Sequence, residues 1–196
     1  MPEESIAGRF DPGHVVLVGM MGSGKTTVGR RVARKLDLDF VDTDAELVTQ
    51  SGRSIADWFT DEGEDAFRAA ESDVVARILD SGPTRVVATG GGVVLADANR
   101  ARLAESRHTV IWLRAGPAFL TSRITRKSEQ KARPLLSGDT HGALDRLDAE
   151  RRDLYAEVAD IVIDIEPVMS DDDHPRKKLS RLIIDTLGRT GVQVRR

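Results

Sequence analysis

The feature that most constrains this chain is the stretch 19–26, Gly-Met-Met-Gly-Ser-Gly-Lys-Thr, which matches the spacing G-x-x-x-x-G-K-[ST] at every fixed position. The preceding segment 14–18 is short, apolar and rich in β-branched residues, which predicts a buried strand. Residues 28–36 then carry apolar side chains at helical spacing. A strand, a glycine-rich loop and a helix in this order are the context in which such a stretch binds phosphate.

The chemistry of this loop follows from its backbone. Glycines leave room for consecutive N–H groups to turn inward around an anion, with the positive end of the following helix aimed at it. We expect the Lys25 ammonium to reach the β- and γ-phosphates of a nucleotide and the Thr26 hydroxyl to bind Mg²⁺. The predicted ATP-binding residues of this stretch are Gly22, Ser23, Gly24, Lys25, Thr26 and Thr27.

Length and composition exclude several other classes of protein. The 196 residues suit one domain, and 29 basic against 32 acidic residues give a net charge of −3, which offers no general attraction to nucleic acid or to an anionic membrane. The absence of cysteine excludes disulfides and thiolate metal ligands. Without a long apolar run or a signal-peptide pattern, we expect a cytoplasmic monomer that binds small molecules.

Strand-like and helix-like segments alternate along the rest of the chain. Further strands are predicted at 39–44, 85–89, 108–113 and 160–165, with helical patterns between them. This alternation predicts an α/β fold with a five-stranded parallel sheet and helices on both faces. We expect a single domain at 14–188, whose last helix ends at Gly188, with a flexible leader at 1–13 and a flexible tail at 189–196. The charged segment at about 127–138, which contains little to bury, is predicted to be mobile.

Two acidic residues follow the second predicted strand. Asp42 and Asp44 stand two apart at its end, so on a strand they share a face, and open α/β sheets bind ligands at that end of their strands. One carboxylate could order Mg²⁺ or its water shell, and the other could hold a hydroxyl group that accepts phosphate.

Two arginines are candidates for binding an anionic acceptor. Arg68 lies three residues before Glu71 on a predicted helix, so the two side chains can meet, and Arg151 lies on a later helix. Guanidinium groups bind carboxylates in a bidentate manner, although surface arginines with local ion pairs are an equally open interpretation of each one alone. The triple glycine 90–92 indicates either a backbone that approaches a ligand or a tight crossover turn.

Taken together, these motifs resemble the shikimate kinase family over about residues 14–187. The resemblance is carried by the phosphate-binding loop, Asp42-Thr43-Asp44, Phe67-Arg68 with Glu71, Gly90-Gly91-Gly92, Arg133-Pro134-Leu135-Leu136, and Arg151 four residues before Tyr155. It implies the fold of the nucleoside monophosphate kinases, with a substrate-binding region at about 44–80 and a lid at about 127–138. The implied reaction transfers the γ-phosphate of ATP to the 3-hydroxyl of shikimate, with Mg²⁺, in aromatic amino acid biosynthesis.

The resemblance also implies a role for individual residues. Asp44 would hold the acceptor hydroxyl and could act as its base, and Asp42 would be an outer-shell Mg²⁺ ligand. Lys25 and Arg133 would complete the catalytic set, with Arg133 reaching the phosphates from the lid. The implied shikimate-binding residues are Asp44, Phe59, Phe67, Arg68, Glu71, Gly90, Gly91, Gly92 and Arg151, and the residues implied near adenine are Arg126 and Pro175.

One departure from the family pattern concerns Arg151. Arg152-Asp153 follow it where the family often has a small residue and proline, which bears on the angle at which Arg151 enters the site. Three alternatives stay open: a related small-molecule kinase such as a gluconate kinase, a nucleoside monophosphate kinase, or a nucleotide-binding module without turnover. The spacing of Asp42 and Asp44, together with the triple glycine, favours shikimate.

Overall fold

The computed structural model describes residues 13–125, 139–170 and 174–189, and a five-stranded sheet lies at its centre. All strand pairs are parallel, and the spatial order is β2-β3-β1-β4-β5. The predicted five-stranded parallel sheet is confirmed. The strands are β1 (Val15–Val18), β2 (Asp39–Asp42), β3 (Arg85–Ala88), β4 (Thr109–Arg114) and β5 (Ile161–Asp164).

Burial along the strands follows their position in the sheet. Every residue of β1, the central strand, is buried, because helices cover both faces of a parallel sheet. Val15 lies in register with Val86 on one side and with Thr109 on the other. The edge strand β5 instead alternates buried and exposed residues, and Val162 is 44% exposed.

The helices connect the strands and form two groups. The first helix packs against the last, whereas the fifth packs against both the fourth and the seventh. A π-helical turn at Trp58–Glu62 and a 3₁₀ turn at Val93–Leu95 complete the secondary structure. The helices are α1 (Lys25–Leu36), α2 (Thr43–Ser51), α3 (Ile55–Asp57), α4 (Gly63–Leu79), α5 (Asp97–Leu103), α6 (Pro117–Thr125), α7 (Thr140–Val158), α8 (Glu166–Ser170) and α9 (Pro175–Arg189). In the described residues no helix is both long and apolar enough to span a membrane.

Helix α1 sits very close to the sheet. A Cβ atom at Gly29 would lie 2.7 Å from the Phe40 ring of β2 and 3.1 Å from Leu17 of β1, so only glycine fits there without displacing a neighbour. The helix ends at Asp37, which adopts a left-handed conformation at φ 54°. This close packing positions the phosphate-binding loop directly at the carboxyl end of β1.

The structure corrects two sequence-based expectations. Strand β2 ends at Asp42, and Asp44 lies in the first turn of α2, so the two acids do not share a strand face as predicted. The reason is local, because the Asp42 carboxylate accepts hydrogen bonds from the backbone N–H groups of Asp44 and Ala45 and thereby caps the helix. At the other end of the chain, α9 runs through Gly188 to Arg189, although Gly188 was expected to end it.

The order of the strands creates a ligand-binding position. From β1 the chain crosses to β2 on one side, and from β3 it crosses over β1 to β4 on the other. Ligands of open α/β sheets bind at the carboxyl ends of the strands where the connections diverge in this way. The phosphate-binding loop leaves β1 at this point.

Candidate active site

A cleft of about 700 Å³ opens at the carboxyl edge of the sheet. The phosphate-binding loop and α1 form one wall, and α2, the π-helical turn, α4, the triple glycine and α7 form the rest. The predicted residues that line it are Gly22, Gly24, Lys25, Thr26, Thr27, Asp42, Asp44, Phe59, Phe67, Arg68, Glu71, Gly90, Gly91, Gly92 and Arg151.

The phosphate-binding loop has the backbone geometry that its glycines predict. Gly19, Gly22 and Gly24 all have positive φ angles, and a Cβ atom at Gly19 would lie 2.7 Å from the carbonyl oxygen of Leu113. The Lys25 ammonium folds back over the loop, where its Nζ donates to the carbonyl oxygens of Gly19 at 2.6 Å and Met20 at 3.0 Å. Ser23 is fully buried and does not line the cleft, so its contribution to ATP binding stays a prediction.

The predicted magnesium ligands meet directly. The Thr26 hydroxyl donates to Oδ2 of Asp42 at 2.6 Å, while Oδ1 of Asp42 caps α2. Helix capping therefore fixes the carboxylate that lies next to the loop threonine. The oxygen atoms of the Thr26 and Asp42 side chains thus lie together beside the loop that would bind the phosphates of a nucleotide.

Asp44 and Glu71 form a pair of carboxylates deeper in the cleft. Burial, followed by the nearby negative charges of Glu71 and Asp42, raises the pKa of Asp44 to about 7, even though Lys25 and Arg68 act in the opposite direction. Burial also raises the pKa of Glu71, which the Arg68 guanidinium partly offsets. Asp44 is therefore a carboxyl group that can change protonation state near neutral pH.

Arg68 is held at the cleft by two acids. Its Nη1 donates to Oε2 of Glu71 at 2.7 Å and its Nη2 donates to Oε1 of Glu64 at 3.0 Å, which confirms that Arg68 and Glu71 meet across one helical turn. Burial opposes the charge of the guanidinium, but Glu71 raises the pKa of Arg68. The guanidinium also lies over the Phe67 ring, 5.1 Å from its centroid.

Arg151 enters the site from α7 and is 2% exposed. Its Nη1 donates to the carbonyl oxygen of Gly91 at 3.3 Å, and its Nε has no hydrogen-bond partner but lies 3.5 Å from the Glu150 carboxylate. A buried guanidinium that lines a cleft and has a nitrogen without a hydrogen-bond partner can bind an anion. The neighbouring Arg152 does not line the cleft and pairs with Asp148.

Side chains lie close to the first and third residues of the triple glycine. A Cβ atom at Gly90 would lie 2.6 Å from Oδ1 of Asp44, and one at Gly92 would overlap the Arg68 guanidinium. The N–H of Gly90 is already used, since it donates to the Thr43 hydroxyl at 3.0 Å. Backbone donation to a ligand, as expected for the whole segment, is therefore left to Gly91 and Gly92.

Two aromatic rings form an apolar wall beside these polar groups. The Phe59 and Phe67 rings lie 4.8 Å apart between centroids, with an angle of 38° between their planes. Phe67 is buried, whereas Phe59 stands on the π-helical turn and is only partly covered. Both rings line the cleft, as expected for the floor beneath a small ring-shaped substrate.

Of the predicted adenine and lid residues, the structure describes Pro175 alone. Pro175 is the first residue of α9, and it does not line the cleft. Arg126, Arg133 and the predicted lid at about 127–138 lie outside the described residues, as do nearly all of the predicted leader and tail.

Three contacts were not anticipated from the sequence. The Nε of Arg123 in α6 donates to the carbonyl oxygen of Gly22 at 2.9 Å, Thr43 fixes Gly90, and the Tyr155 hydroxyl donates to the carbonyl oxygen of Gly91. Tyr155 could have been found, because it lies one helical turn after Arg151 and so shares its face. Arg123 and Gly22 are 101 residues apart, and no local pattern signals such a contact.

Comparison with known proteins agrees with this geometry. The family model described as shikimate kinase matches residues 21–185. A shikimate kinase of Bradyrhizobium diazoefficiens is 40% identical over 187 residues, which span 95% of this chain and 84% of the relative.

Solved structures extend the comparison. A shikimate kinase of Acinetobacter baumannii in complex with shikimate has a TM-score of 0.79 at 32% identity and covers 91% of this chain and 94% of its own. A gluconokinase of Sinorhizobium meliloti has a TM-score of 0.61 at 21% identity, covers 93% of this chain and 95% of its own, and shares the fold alone. The matched span of the family model and the identity to the curated relative lead to one conclusion: this chain belongs to the shikimate kinase family.

Proposed function

We propose that the cleft transfers the γ-phosphoryl group of ATP to the 3-hydroxyl of shikimate, releasing ADP and shikimate 3-phosphate. The observation that carries this proposal is the presence, in one cleft, of a phosphate-binding loop, a carboxyl group with a raised pKa and two arginines. The loop accounts for the nucleotide, and the arginines account for an anionic acceptor. Asp44 lines the same cleft as the loop and the arginines, and its carboxyl group can bind the acceptor hydroxyl.

The acceptor is positioned by its carboxylate. Arg151 offers a buried guanidinium whose Nε lies 3.5 Å from the half-exposed Glu150 carboxylate, and Arg68 offers one whose orientation is fixed by Glu71 and Glu64. Bidentate pairing with one or both would fix the position and rotation of the acid, while its ring rests on Phe59 and Phe67. Holding the hydroxyl in line with the γ-phosphate supplies a large part of the acceleration, because phosphoryl transfer depends mainly on alignment and charge stabilisation.

Asp44 receives the proton that the reaction releases. As the shikimate oxygen bonds to the γ-phosphorus, its O–H bond breaks and the proton passes to the Asp44 carboxylate, while ADP leaves with the electron pair of the broken P–O bond. The loose transition state does not need a strong base. Lys25 is expected to move from the loop carbonyls to the phosphates, because an anion is a stronger partner for an ammonium than a carbonyl oxygen is.

A magnesium ion would be held by Thr26 and, through its water shell, by Asp42. The residues fit this ion, because both side chains supply hard oxygen atoms and a hydrogen bond of 2.6 Å already orients them together. Within the described ranges no cluster of three acidic or histidine side chains could form a cage, which agrees with an ion completed by phosphate oxygens and water. When bound, Mg²⁺ neutralises charge on the β- and γ-phosphates.

The remaining assignments rest on the family resemblance. Arg133 is proposed to stabilise the transferring phosphoryl group, and Arg126 and Pro175 to lie near adenine. The substrate-binding region at about 44–80 is supported by Asp44, Phe59 and Arg68, which fall inside it and line the cleft. A cytoplasmic monomer stays a prediction from the sequence.

The proposal is tested by measuring ADP release from ATP and Mg²⁺ with shikimate, gluconate or nucleoside monophosphates as the acceptor. A large increase with shikimate alone is expected. An increase only with gluconate would favour the alternative that this chain is a related small-molecule kinase, such as a gluconate kinase. ADP release that no acceptor stimulates would favour a nucleotide-binding module and contradict the proposal.

A further inference from the structure

The carbonyl oxygen of Gly91 is the meeting point of two side chains from α7. The Tyr155 hydroxyl and Nη1 of Arg151 both donate to it. Tyr155 is completely buried, and its ring stacks on Trp112 of β4 with 5.6 Å between centroids and 27° between planes. A side chain held in this way by the core provides a rigid anchor for the glycine backbone.

The same peptide unit carries a free donor on its other side. A trans peptide is planar, so the N–H of Gly92 points away from the Gly91 carbonyl and hence away from α7. No described residue accepts a hydrogen bond from the N–H of Gly91 or of Gly92. Glycine backbone rotates easily, so without an anchor this peptide could turn its donor out of position.

We propose that Tyr155 is a positioning residue for shikimate, since its hydroxyl fixes the Gly91–Gly92 peptide plane and thereby orients both the Gly92 N–H and the Arg151 guanidinium toward the acceptor. Tyr155 does not line the cleft, so it acts through these two groups. The inference rests on the proposed function, because the bound acid is the group that they would hold.

Tyr155→Phe tests the proposal, because it removes one hydroxyl and keeps the ring that packs on Trp112. We expect the KM for shikimate to rise about tenfold, the cost of one lost buried hydrogen bond, with the kcat and the KM for ATP within about twofold of the wild type. A merely structural role would lower the melting temperature and leave the KM for shikimate unchanged, and that result would overturn the proposal.

Ser180→Ala is the matched control. Its hydroxyl is also buried and donates to a backbone carbonyl, that of Lys177 at 2.9 Å, but it lies on α9 outside the cleft. It should lower the melting temperature without changing either KM. In the double variant with Arg151→Lys, the rise in the KM for shikimate should be smaller than the product of the two single effects, because both changes release the same peptide; a full product would contradict a shared action.

A second measurement decides the matter if Tyr155→Phe does not fold. Tyr155 is the single tyrosine of the chain, so labelling with 3-fluorotyrosine gives one ¹⁹F resonance without any substitution. We expect this resonance to shift when shikimate is added, and an unchanged resonance at saturating shikimate would overturn the proposal. Wild-type protein without shikimate-dependent ADP release would overturn the proposed function itself, whereas active wild type with an unchanged Tyr155→Phe variant would overturn only the role of Tyr155.

Discussion

The two edges of the sheet both bury ionisable side chains in pairs, but they do so with opposite results. At the carboxyl edge, Asp44 and Glu71 face a cleft, and burial raises the pKa of each. At the amino edge, His14 and His108 precede β1 and β4 and stack with 5.3 Å between ring centroids, and burial lowers the pKa of each. Burial disfavours the charged form at both edges, which moves acids and bases in opposite directions.

The difference between the edges lies in what the backbone leaves unsatisfied. Nδ1 of His108 accepts from the His14 N–H and Nδ1 of His14 accepts from the Arg85 N–H, both at 3.3 Å, so the Nδ1 atoms of both rings bond to the backbone inside the fold. At the other edge the glycine loops leave a cavity in front of the carboxyl groups and arginines. The buried histidines form a structural pair because the backbone supplies their hydrogen-bond partners. The buried carboxyl groups form a reactive pair because a ligand in the cleft can contact them.

The largest effect is expected for Asp44→Asn, which removes the proton acceptor but preserves the shape of the side chain. The kcat should fall by about 10²–10⁴ with ATP binding intact, as is typical when a general base is lost. Steady-state kinetics and nucleotide titration measure the two quantities. Asp39→Asn, an exposed change on β2 near the start of α2, should behave as the wild type. Transfer at near the normal rate would remove Asp44 from the reaction.

Arg151→Lys should raise the KM for shikimate by about 10- to 100-fold, because an ammonium group cannot replace a planar guanidinium as a bidentate partner of a carboxylate. The KM for ATP should stay the same. Arg152→Lys is the control, since the Arg152 side chain is 60% exposed and pairs with Asp148 instead. If the two changes altered the KM for shikimate equally, Arg151 would contribute only its positive charge and not a bidentate contact.

The histidine pair should make the protein unstable in acid. The pKa of His108 lies at about 4 in the folded chain, against about 6.5 for an exposed imidazole, so the unfolded chain binds more protons between these values. Its contribution is fully present above pH 6.5, and the free energy of unfolding should fall by about 3 kcal/mol as the pH drops to 4. Urea unfolding of the wild type and of His108→Phe at several pH values measures how the free energy of unfolding depends on pH. This dependence should be weaker in the variant, and an identical dependence would exclude the histidine pair as its cause.

The pH dependence of Asp44 in the absence of ligands has the opposite sign. Its folded pKa of about 7 exceeds the ordinary value for an aspartate, so the unfolded chain loses its proton first and the stability contribution of Asp44 declines as the pH rises toward 7. Asp44→Asn should therefore raise the free energy of unfolding at pH 8 and change it little at pH 4. A variant less stable than the wild type at pH 8 would show that the carboxylate is well satisfied.

Much of the site could be predicted because its signals are local. The fixed spacing of the phosphate-binding loop predicts its backbone, and the three-residue separation of Arg68 and Glu71 predicts their contact on a helix. The prediction for Asp44 was partly wrong, because the capping of α2 by Asp42 moves Asp44 from the strand to the helix. Its position at the cleft nevertheless survives, since α2 begins at the carboxyl edge of the sheet.

The amino acid order alone specifies the phosphate-binding loop, the alternation of strands and helices and the types of side chain that can meet at one edge of a parallel sheet, because these depend on periodicity and on short spacings. Only the tertiary structure decides that Asp44 and Arg68 occupy the space beside Gly90 and Gly92, and that the Tyr155 hydroxyl bonds to Gly91 across 64 residues of chain. It also separates the open carboxyl edge from the closed histidine edge. Such features arise from packing between distant segments, and packing leaves no period in the sequence.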